Sequence, residues 1–415
     1  MKNNKMKKIA FFSPVHIYPI FGGLDIRIWE LLKVLSKNNE ILLIVYNDVG
    51  SAIDLDTLKK QVTDILVIDL YHESRIMNAL MLSTFFINKD KLFSYKYINK
   101  NAISLIKDKL KYFNPDISIF GYSFLVPLML KLKEYTGKTI VDMPNIEYEI
   151  QYQYIKLKNN PLYKLRQYIR YYTSKRLEKS IHNVADQIWV VSERDKKVMS
   201  NLIGKETSKI RVIPNSIDIN KYKIATTDYE YTIGYMGSFG YNPNSQAAEI
   251  IITDIFPKVK KRIGNAKILF IGASPTPFML DAANENKNII LTGFVENISE
   301  YLSRVAIVIV PLIMGGGTRF KILEALALGK PVISTPKGAE GLDLVNDRDI
   351  IICELNEFPN RIIDLLNNND KMQKLINTGI ETVRKYYSTE SLSNSILQSL
   401  SKLGVSDLED KTYHL

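Results

Sequence analysis

Along the first fifty residues the hydrophobic pattern changes period twice. Lys8–Ser13 is a short, mostly apolar run and reads as a buried strand. After the Gly-containing loop Pro14–Gly23, Ile28, Leu31, Leu32 and Leu35 fall on one face of a 3.6-residue repeat, which predicts a helix over Leu24–Ser36. Glu40–Tyr46 then reads as strand. Further apolar runs follow at Ile65–Ile68, Ile117–Gly121, Thr139–Asp142 and Gln187–Val191, with helical patterns between them. Strands that alternate with helices predict a mostly parallel sheet covered on both faces.

The second half repeats this grammar. Its strand candidates are Thr232–Met236, Lys267–Ile271, Ile289–Leu291, Ile307–Val310, Val332–Ser334 and Ile350–Cys353. Helical stretches include Ser245–Arg262, Ile298–Leu302 and Arg319–Leu328. Pro214, Asn215 and the polar segment Asn220–Glu230 put a hinge near 216–230. From Asp370 the chain reads as helices, the last of which is expected to pack back on the first domain. The expected class is α/β, with two Rossmann-like doubly wound domains facing a central cleft. The expected boundaries are 1–216 for an N-terminal Rossmann-like domain, 217–385 for a C-terminal one and 386–415 for a helical tail. In such sheets ligands bind outside the carboxyl ends of the strands.

Composition narrows the chemistry. One cysteine, Cys353, excludes an internal disulfide, and the four histidines (His16, His72, His182, His414) do not stand at metal-ligand spacing, so no metal site is expected. The start imitates a signal peptide, but Ile9–Phe12 is too short for its apolar core and Pro14 stops it. No run of about 20 apolar residues suggests a membrane span. The expected location is the cytoplasm, at or near the inner face of the cell membrane. The net charge of +11 is uneven: residues 1–215 carry 34 Lys+Arg against 21 Asp+Glu, and residues 216–415 carry 21 against 23. That asymmetry points to the partner of the first half and says nothing of its fold.

The stretch Pro311–Leu342, PLIMGGGTRFKILEALALGKPVISTPKGAEGL, carries the most chemistry. A strand ends at Pro311, Gly315–Gly316–Gly317 form a turn, and Thr318 is a suitable N-cap for a helix that begins at Arg319. Glycines let the backbone approach a ligand, and free N–H groups at a helix start attract an anion. Arg319 and Lys321 place two cations in the first turn, where the helix dipole disfavours them. A diphosphate resolves that conflict. Glu324 lies six residues beyond Thr318, roughly 9 Å along a helix axis, about the reach from a diphosphate to a ribose. The string is no Walker loop, because Gly329–Lys330 is followed by Pro331. The first strand–helix turn also lacks a dinucleotide fingerprint, offering only Gly22–Gly23.

These residues resemble the family 4 glycosyltransferases, retaining enzymes of the GT-B fold that use nucleotide-diphosphate sugars. The resemblance extends over FFSPVHIYPIFGG with Arg27, ADQIWVVSERD, RVIPNSID, GYMGSFGYNPN, KILFIGASP, LTGFVENISEYLSRVAIVIVPL and, most specifically, GGGTRFKILEALALGKPVIST. It implies that Glu324 holds the donor ribose and that Gly315, Gly316, Gly317 and Thr318 lie beside the sugar and diphosphate. Gly237 and Ser238 then belong to the nucleotide-sugar site. Gly22 and Gly23 cover the diphosphate from the other side, and no metal or other cofactor is required.

Three departures from the family pattern stand out. Gly316 occupies the place of a second glutamate near the transferred sugar, and Ser238 and Pro243 occupy the places of an Arg and a Lys. Arg319 and Lys321 are the expected replacements and, with Gly316, the catalytic candidates. Pro144 stands where relatives often have histidine, in the loop Val141–Glu147. Asn145 and Glu147 are candidates for contact with sugar hydroxyls and Asp142 for orienting the acceptor; an ordinary proline-containing turn fits the same residues. No side-chain base is assigned, since in a retaining transfer a leaving phosphate oxygen can take the acceptor proton. Closure about residues 216–230 is expected to exclude water.

Met77–Ile98 and Tyr152–Lys179 interleave aromatics with cations. In the second, Leu162, Leu165, Tyr168, Ile169 and Tyr172 share one helical face, which suits an anionic membrane surface and a glycan or lipid-linked acceptor. A solvated helix packed on its own domain fits the same pattern. A nucleic-acid partner is not expected, because no RNA- or DNA-binding pattern is present. Two rival readings are an accessory subunit of the same fold that has lost catalysis, and a sugar-nucleotide epimerase.

Overall fold

The computed structural model describes residues 6–15, 17, 18, 20, 22–48, 53–70, 100–157, 159–204, 207–222, 231–317 and 319–404. The segment Met77–Ile98 and residues 223–230 of the expected hinge lie outside the described residues. The chain divides into two compact units, Met1–Pro214 with Leu392–Leu415, and Asn215–Ser391.

The first unit holds seven parallel strands: β1 (Lys7–Ser13), β2 (Asn39–Asp48), β3 (Asp64–Leu70), β4 (Ile117–Phe120), β5 (Lys138–Met143), β6 (Gln187–Val190) and β7 (Ile210–Val212). Their order is β3-β2-β1-β4-β5-β6-β7. Side chains of β1 and β2 alternate between the two faces. Ala10, Phe12, Leu42 and Ile44 enter one core and Ile9, Phe11, Ile41, Leu43 and Val45 the other. Both faces are therefore apolar, as a parallel sheet covered by helices requires. The short β7 was not expected: Arg211 interrupts its three residues, too few for a period to show.

The second unit holds six parallel strands: β8 (Tyr231–Met236), β9 (Ile268–Ile271), β10 (Ile289–Leu291), β11 (Val305–Val310), β12 (Val332–Ser334) and β13 (Ile351–Ile352). Their order is β10-β9-β8-β11-β12-β13. All six residues of β11, VAIVIV, are buried. In each sheet the chain reverses its direction of travel between two neighbouring strands, β1 and β4 in one, β8 and β11 in the other. The loops leaving those strands splay apart there, which opens a place for a ligand.

The helix expected over Ser245–Arg262 is broken. An α-helix Asn242–Ile250 passes through a π-helical turn, Ile251–Ile255, into a helix Phe256–Arg262. Pro257 gives the reason, because its ring cannot accept a regular helical carbonyl four residues earlier and a wider turn relieves the clash.

The last helix, Thr389–Ser401, packs on the first unit as expected from its sequence. Leu392, Ile396 and Leu400, spaced by four, are buried in the same core as Ile9, Trp29 and Trp189. Ser399 fixes the register: its Oγ accepts from Trp189 Nε1 at 2.8 Å, and its carbonyl accepts from Gln187 Nε2 at 2.8 Å. Ile396→Ala should lower the unfolding free energy of the first unit by about 2–5 kcal/mol. Urea unfolding followed by tryptophan fluorescence measures it, since both tryptophans border this core; an unchanged midpoint would show that the helix does not seal it.

Candidate functional site

In the second unit β8 pairs directly with β11. The turns that follow them, Gly237–Ser238 and Gly315–Gly317, therefore leave neighbouring strands at the reversal point of the sheet. Gly237 (φ +155°), Gly315 (φ +117°) and Gly317 (φ +67°) all have backbone conformations that side chains disfavour. At Gly237 space is also lacking: a Cβ would lie 2.6 Å from Asn244 Nδ2.

The helix that follows the triple glycine is Phe320–Ala327, and its N-cap is Arg319, with no side-chain cap bond. This corrects the expected start at Arg319. The proposed cap, Thr318, lies outside the described residues. Arg319 is buried, and its Nη1 donates to the carbonyl of Gly316, so the guanidinium folds back on the glycine turn. A Cβ on Gly315 would come within 2.9 Å of Arg319 Nη2, which explains the glycine there.

Lys321 runs the other way, toward β8. Its Nζ donates to Asn244 Oδ1 at 2.8 Å, reaches Tyr235 Oη at 3.4 Å and sits 4.5 Å from the Tyr235 ring centroid. Burial, and then the neighbouring Arg319 charge, pull the Lys321 ammonium down to about 7, with Glu324 opposing. Glu324 lies one helical turn on and accepts from Tyr222 Oη at 3.1 Å. Burial pushes its carboxyl up to about 7, against the Tyr222 hydrogen bond and the Lys321 charge. Gly237, Ser238, Gly315, Gly316, Gly317, Arg319, Lys321 and Glu324 thus all belong to this unit, and two cations flank a helix start. The electrostatics suit an anion.

Tyr222, Tyr235 and Asn244 were not expected. Tyr235 reads from sequence as a core strand residue, and Asn244 as a turn residue in YNPN. Only the juxtaposition of β8 with the glycine helix shows that both meet Lys321.

In the first unit Gly22 is the N-cap of the helix Gly23–Leu35; its N–H donates to Asp25 Oδ2 at 3.0 Å, and a Cβ there would meet open space. The expectation for Asp142 needs correction. Asp142 is fully buried, and Arg27 Nε and Nη2 donate to its two oxygens at 2.8 and 2.5 Å, while Arg27 Nη1 donates to the carbonyl of Ile213. Asp142 therefore ties β5 to the first helix and has no face to offer an acceptor.

Asn145 and Glu147 do come together. Asn145 Nδ2 donates to Tyr122 Oη at 3.0 Å, Tyr122 Oη donates to Glu147 Oε2 at 3.1 Å, and Gln151 Nε2 donates to Glu147 Oε1 at 2.6 Å. Burial raises the Glu147 carboxyl above its ordinary value, and burial and then Glu147 raise the Tyr122 phenol. Beneath them Glu178, from the helix Pro161–Val184, accepts from the backbone N–H groups of Glu147 and Tyr148 at 2.8 and 3.1 Å and so caps the helix Glu147–Ile155. Burial pushes Glu178 up to about 8. Its sequence gave no sign of this role, since it sits among cations on a helix that reads as solvated.

Asp142→Ala should destabilise the first unit by about 3–5 kcal/mol, because it leaves the Arg27 guanidinium buried without its counter-charge. Denaturant unfolding checks this; an undiminished stability would mean that Asp142 is not a structural anchor.

Two family descriptions match most of the chain: Glycosyltransferase Family 4 over residues 21–221 and Glycosyl transferases group 1 over residues 230–368. No curated protein sequence matches it. Among solved structures the chain is similar to Anabaena HepE in complex with UDP-glucose, at 13% identity and a TM-score of 0.68, over 95% of this chain and 100% of that one. It is also similar to the sucrose-phosphate synthase of Thermosynechococcus elongatus, at 16% identity and 0.73, over 96% and 99%. A TarM variant of S. aureus in complex with Fondaparinux, alpha-GlcNAc-glycerol and UDP matches at 12% and 0.68, over 95% and 99%. At these identities the likenesses are of fold.

Proposed function

We propose that this chain, which belongs to the group 1, family 4 glycosyltransferases and has their GT-B fold, moves a sugar from a nucleotide-diphosphate donor to a glycan or lipid-linked acceptor with retention of configuration. The observation that carries the reading is the second unit's anion-ready turn: two glycine bends at the sheet's reversal point, a helix start, and the cations Arg319 and Lys321 beside it. The similar structure of Anabaena HepE is in complex with UDP or UDP-glucose, which supports a nucleotide sugar as donor.

In this reading the diphosphate docks at the start of the helix Phe320–Ala327, and Glu324, held by Tyr222, accepts from the ribose hydroxyls. Gly316, where a side chain is missing, leaves room for the transferred sugar. Stabilising the departing diphosphate is the main catalytic contribution, supplied by fixed charges and N–H groups without a metal. A leaving phosphate oxygen takes the acceptor proton. In the first unit Asn145 and Glu147 are the residues for sugar or acceptor hydroxyls, joined through Tyr122. The product belongs to a cell-surface polysaccharide or glycoconjugate.

The acceptor side favours a membrane-borne substrate. On the helix Pro161–Val184, Leu162 (78% exposed), Leu165 (58%), Tyr168 (45%) and Tyr172 (64%) form an outward apolar stripe. Lys164 and Arg166 accompany it. Such a stripe, cation-flanked, suits the headgroup layer of an anionic leaflet.

Two measurements test these points. A panel of nucleotide sugars should show slow hydrolysis of one donor by the wild-type protein, and Arg319→Ala with Lys321→Ala should weaken that donor's binding by at least tenfold; unchanged affinity would remove both cations from the site. Flotation with vesicles of acidic phospholipid should carry the protein at low salt and lose it when Leu162, Leu165 and Tyr172 are changed to Ser. Equal flotation of the two would move the membrane contact elsewhere.

A further inference from the structure

We propose that Asn244 is a positioning residue for donor binding: it holds the Lys321 ammonium at the Gly237–Ser238 turn, so that this lysine supplies the charge the diphosphate meets while Arg319 braces the triple-glycine loop. The proposal rests on the reading of this unit as a nucleotide-sugar site, and goes beyond it by dividing the work between two cations and naming the residue that enforces the division.

The orientation of the Asn244 amide is fixed by its partners. Nδ2 donates to the Ser238 carbonyl at 2.9 Å, which leaves Oδ1 to accept from Tyr235 Oη at 3.1 Å and from Lys321 Nζ at 2.8 Å. The turn is shaped around this amide, since any side chain at Gly237 would strike it. Asn244 can take the place because Pro243, in the first turn of the helix Asn242–Ile250, has a fixed helical φ and no N–H to lose.

Lys321 thus crosses from one glycine turn to the other. Its hydrogen-bond partners, an amide oxygen and a phenol, are neutral. The titratable groups around it are Tyr235 on β8 and, on its own helix segment, Arg319 and Glu324. Glu324 favours the ammonium, but burial and the Arg319 charge oppose it more strongly. Arg319, by contrast, donates its Nη1 to the Gly316 carbonyl of its own loop. A lysine whose partners are neutral and whose nearest charge is like its own takes up a proton on its amine form when an anion arrives.

The sign of the pH effect follows. Free Lys321 sits at about 7, and a bound diphosphate raises it. Below pH 7 the ammonium is already present and contributes no pH dependence. Above pH 7 binding must take up a proton, and affinity falls by up to roughly tenfold per pH unit until the bound-state value is passed. A phosphate's own last ionisation, at about 6, is complete by then.

Isothermal titration of UDP and of UMP between pH 6.5 and 9, in two buffers of different ionisation enthalpy, tests the proposal. The wild type should take up a proton on binding UDP at pH 8 and bind it more weakly as pH rises. Lys321→Met should weaken UDP and flatten its profile. Asn244→Ala should weaken UDP by about tenfold or more, as expected for a hydrogen bond to a charged group, and reduce the proton uptake. The isosteric Asn244→Asp, which loses the donor to the Ser238 carbonyl but pairs with the ammonium, should also weaken UDP while holding the lysine charged and the profile flat to pH 9. UMP should change less in every variant. Wild-type affinity, uptake and profile retained by Asn244→Ala or by Asn244→Asp would overturn the positioning role, and an Arg319→Ala protein alone losing the pH dependence would transfer the charge to Arg319. Wild-type protein that binds none of UDP, GDP, ADP and dTDP at any pH would instead sink the donor-site reading itself.

Discussion

Two cations in the first turn of one short helix set the terms for the second unit. Peptide dipoles put partial positive charge at that end, and Arg319 and Lys321 add to it with no carboxylate in the same turn. Such an arrangement survives only if each charge is solvated or braced. Arg319 is braced by the carbonyl of Gly316, which requires Gly315 to lack a side chain. Lys321 is drawn across to Asn244 and the ring of Tyr235, which requires Gly237 to lack one. The glycines of both turns and the Asn of the neighbouring helix are therefore consequences of where the cations must be kept.

The first unit handles buried charge differently. Arg27 pairs with both oxygens of Asp142 and donates to the carbonyl of Ile213, so the pair binds β5, the first helix and the chain after β7 together. Glu178 lies in an equally buried place but accepts from two backbone N–H groups and has no cation as partner among the described residues, and burial lifts its proton affinity. Its work is to start the helix Glu147–Ile155, whose own N-cap, Ile146, has no polar side chain. The cluster of Tyr122, Asn145 and Glu147 stands on that support.

The two-sheet architecture was legible because buried parallel strands are written as unbroken apolar runs, as VAIVIV is in β11. The glycine helix was legible because Gly, Arg, Lys and Glu stood in one stretch of a dozen residues. What sequence could not supply were partners brought from afar: Tyr222 to Glu324 spans 102 positions, and Asn244 to Lys321 spans 77. Asp142 was misread for the same reason. A lone carboxylate at a strand end looks available until Arg27, 115 residues away, is seen to occupy it.

The return of Thr389–Ser401 to the first unit has a consequence for biosynthesis. The core that contains Trp189 and Ile9 is closed by Leu392, Ile396, Leu400 and Leu403, which are made only after the whole of the second unit. Through the whole translation of the intervening 177 residues of Asn215–Ser391 that apolar flank stays uncovered. The nascent chain must therefore be kept from sticking to its neighbours until that helix arrives, a task that falls to chaperones or to rapid elongation.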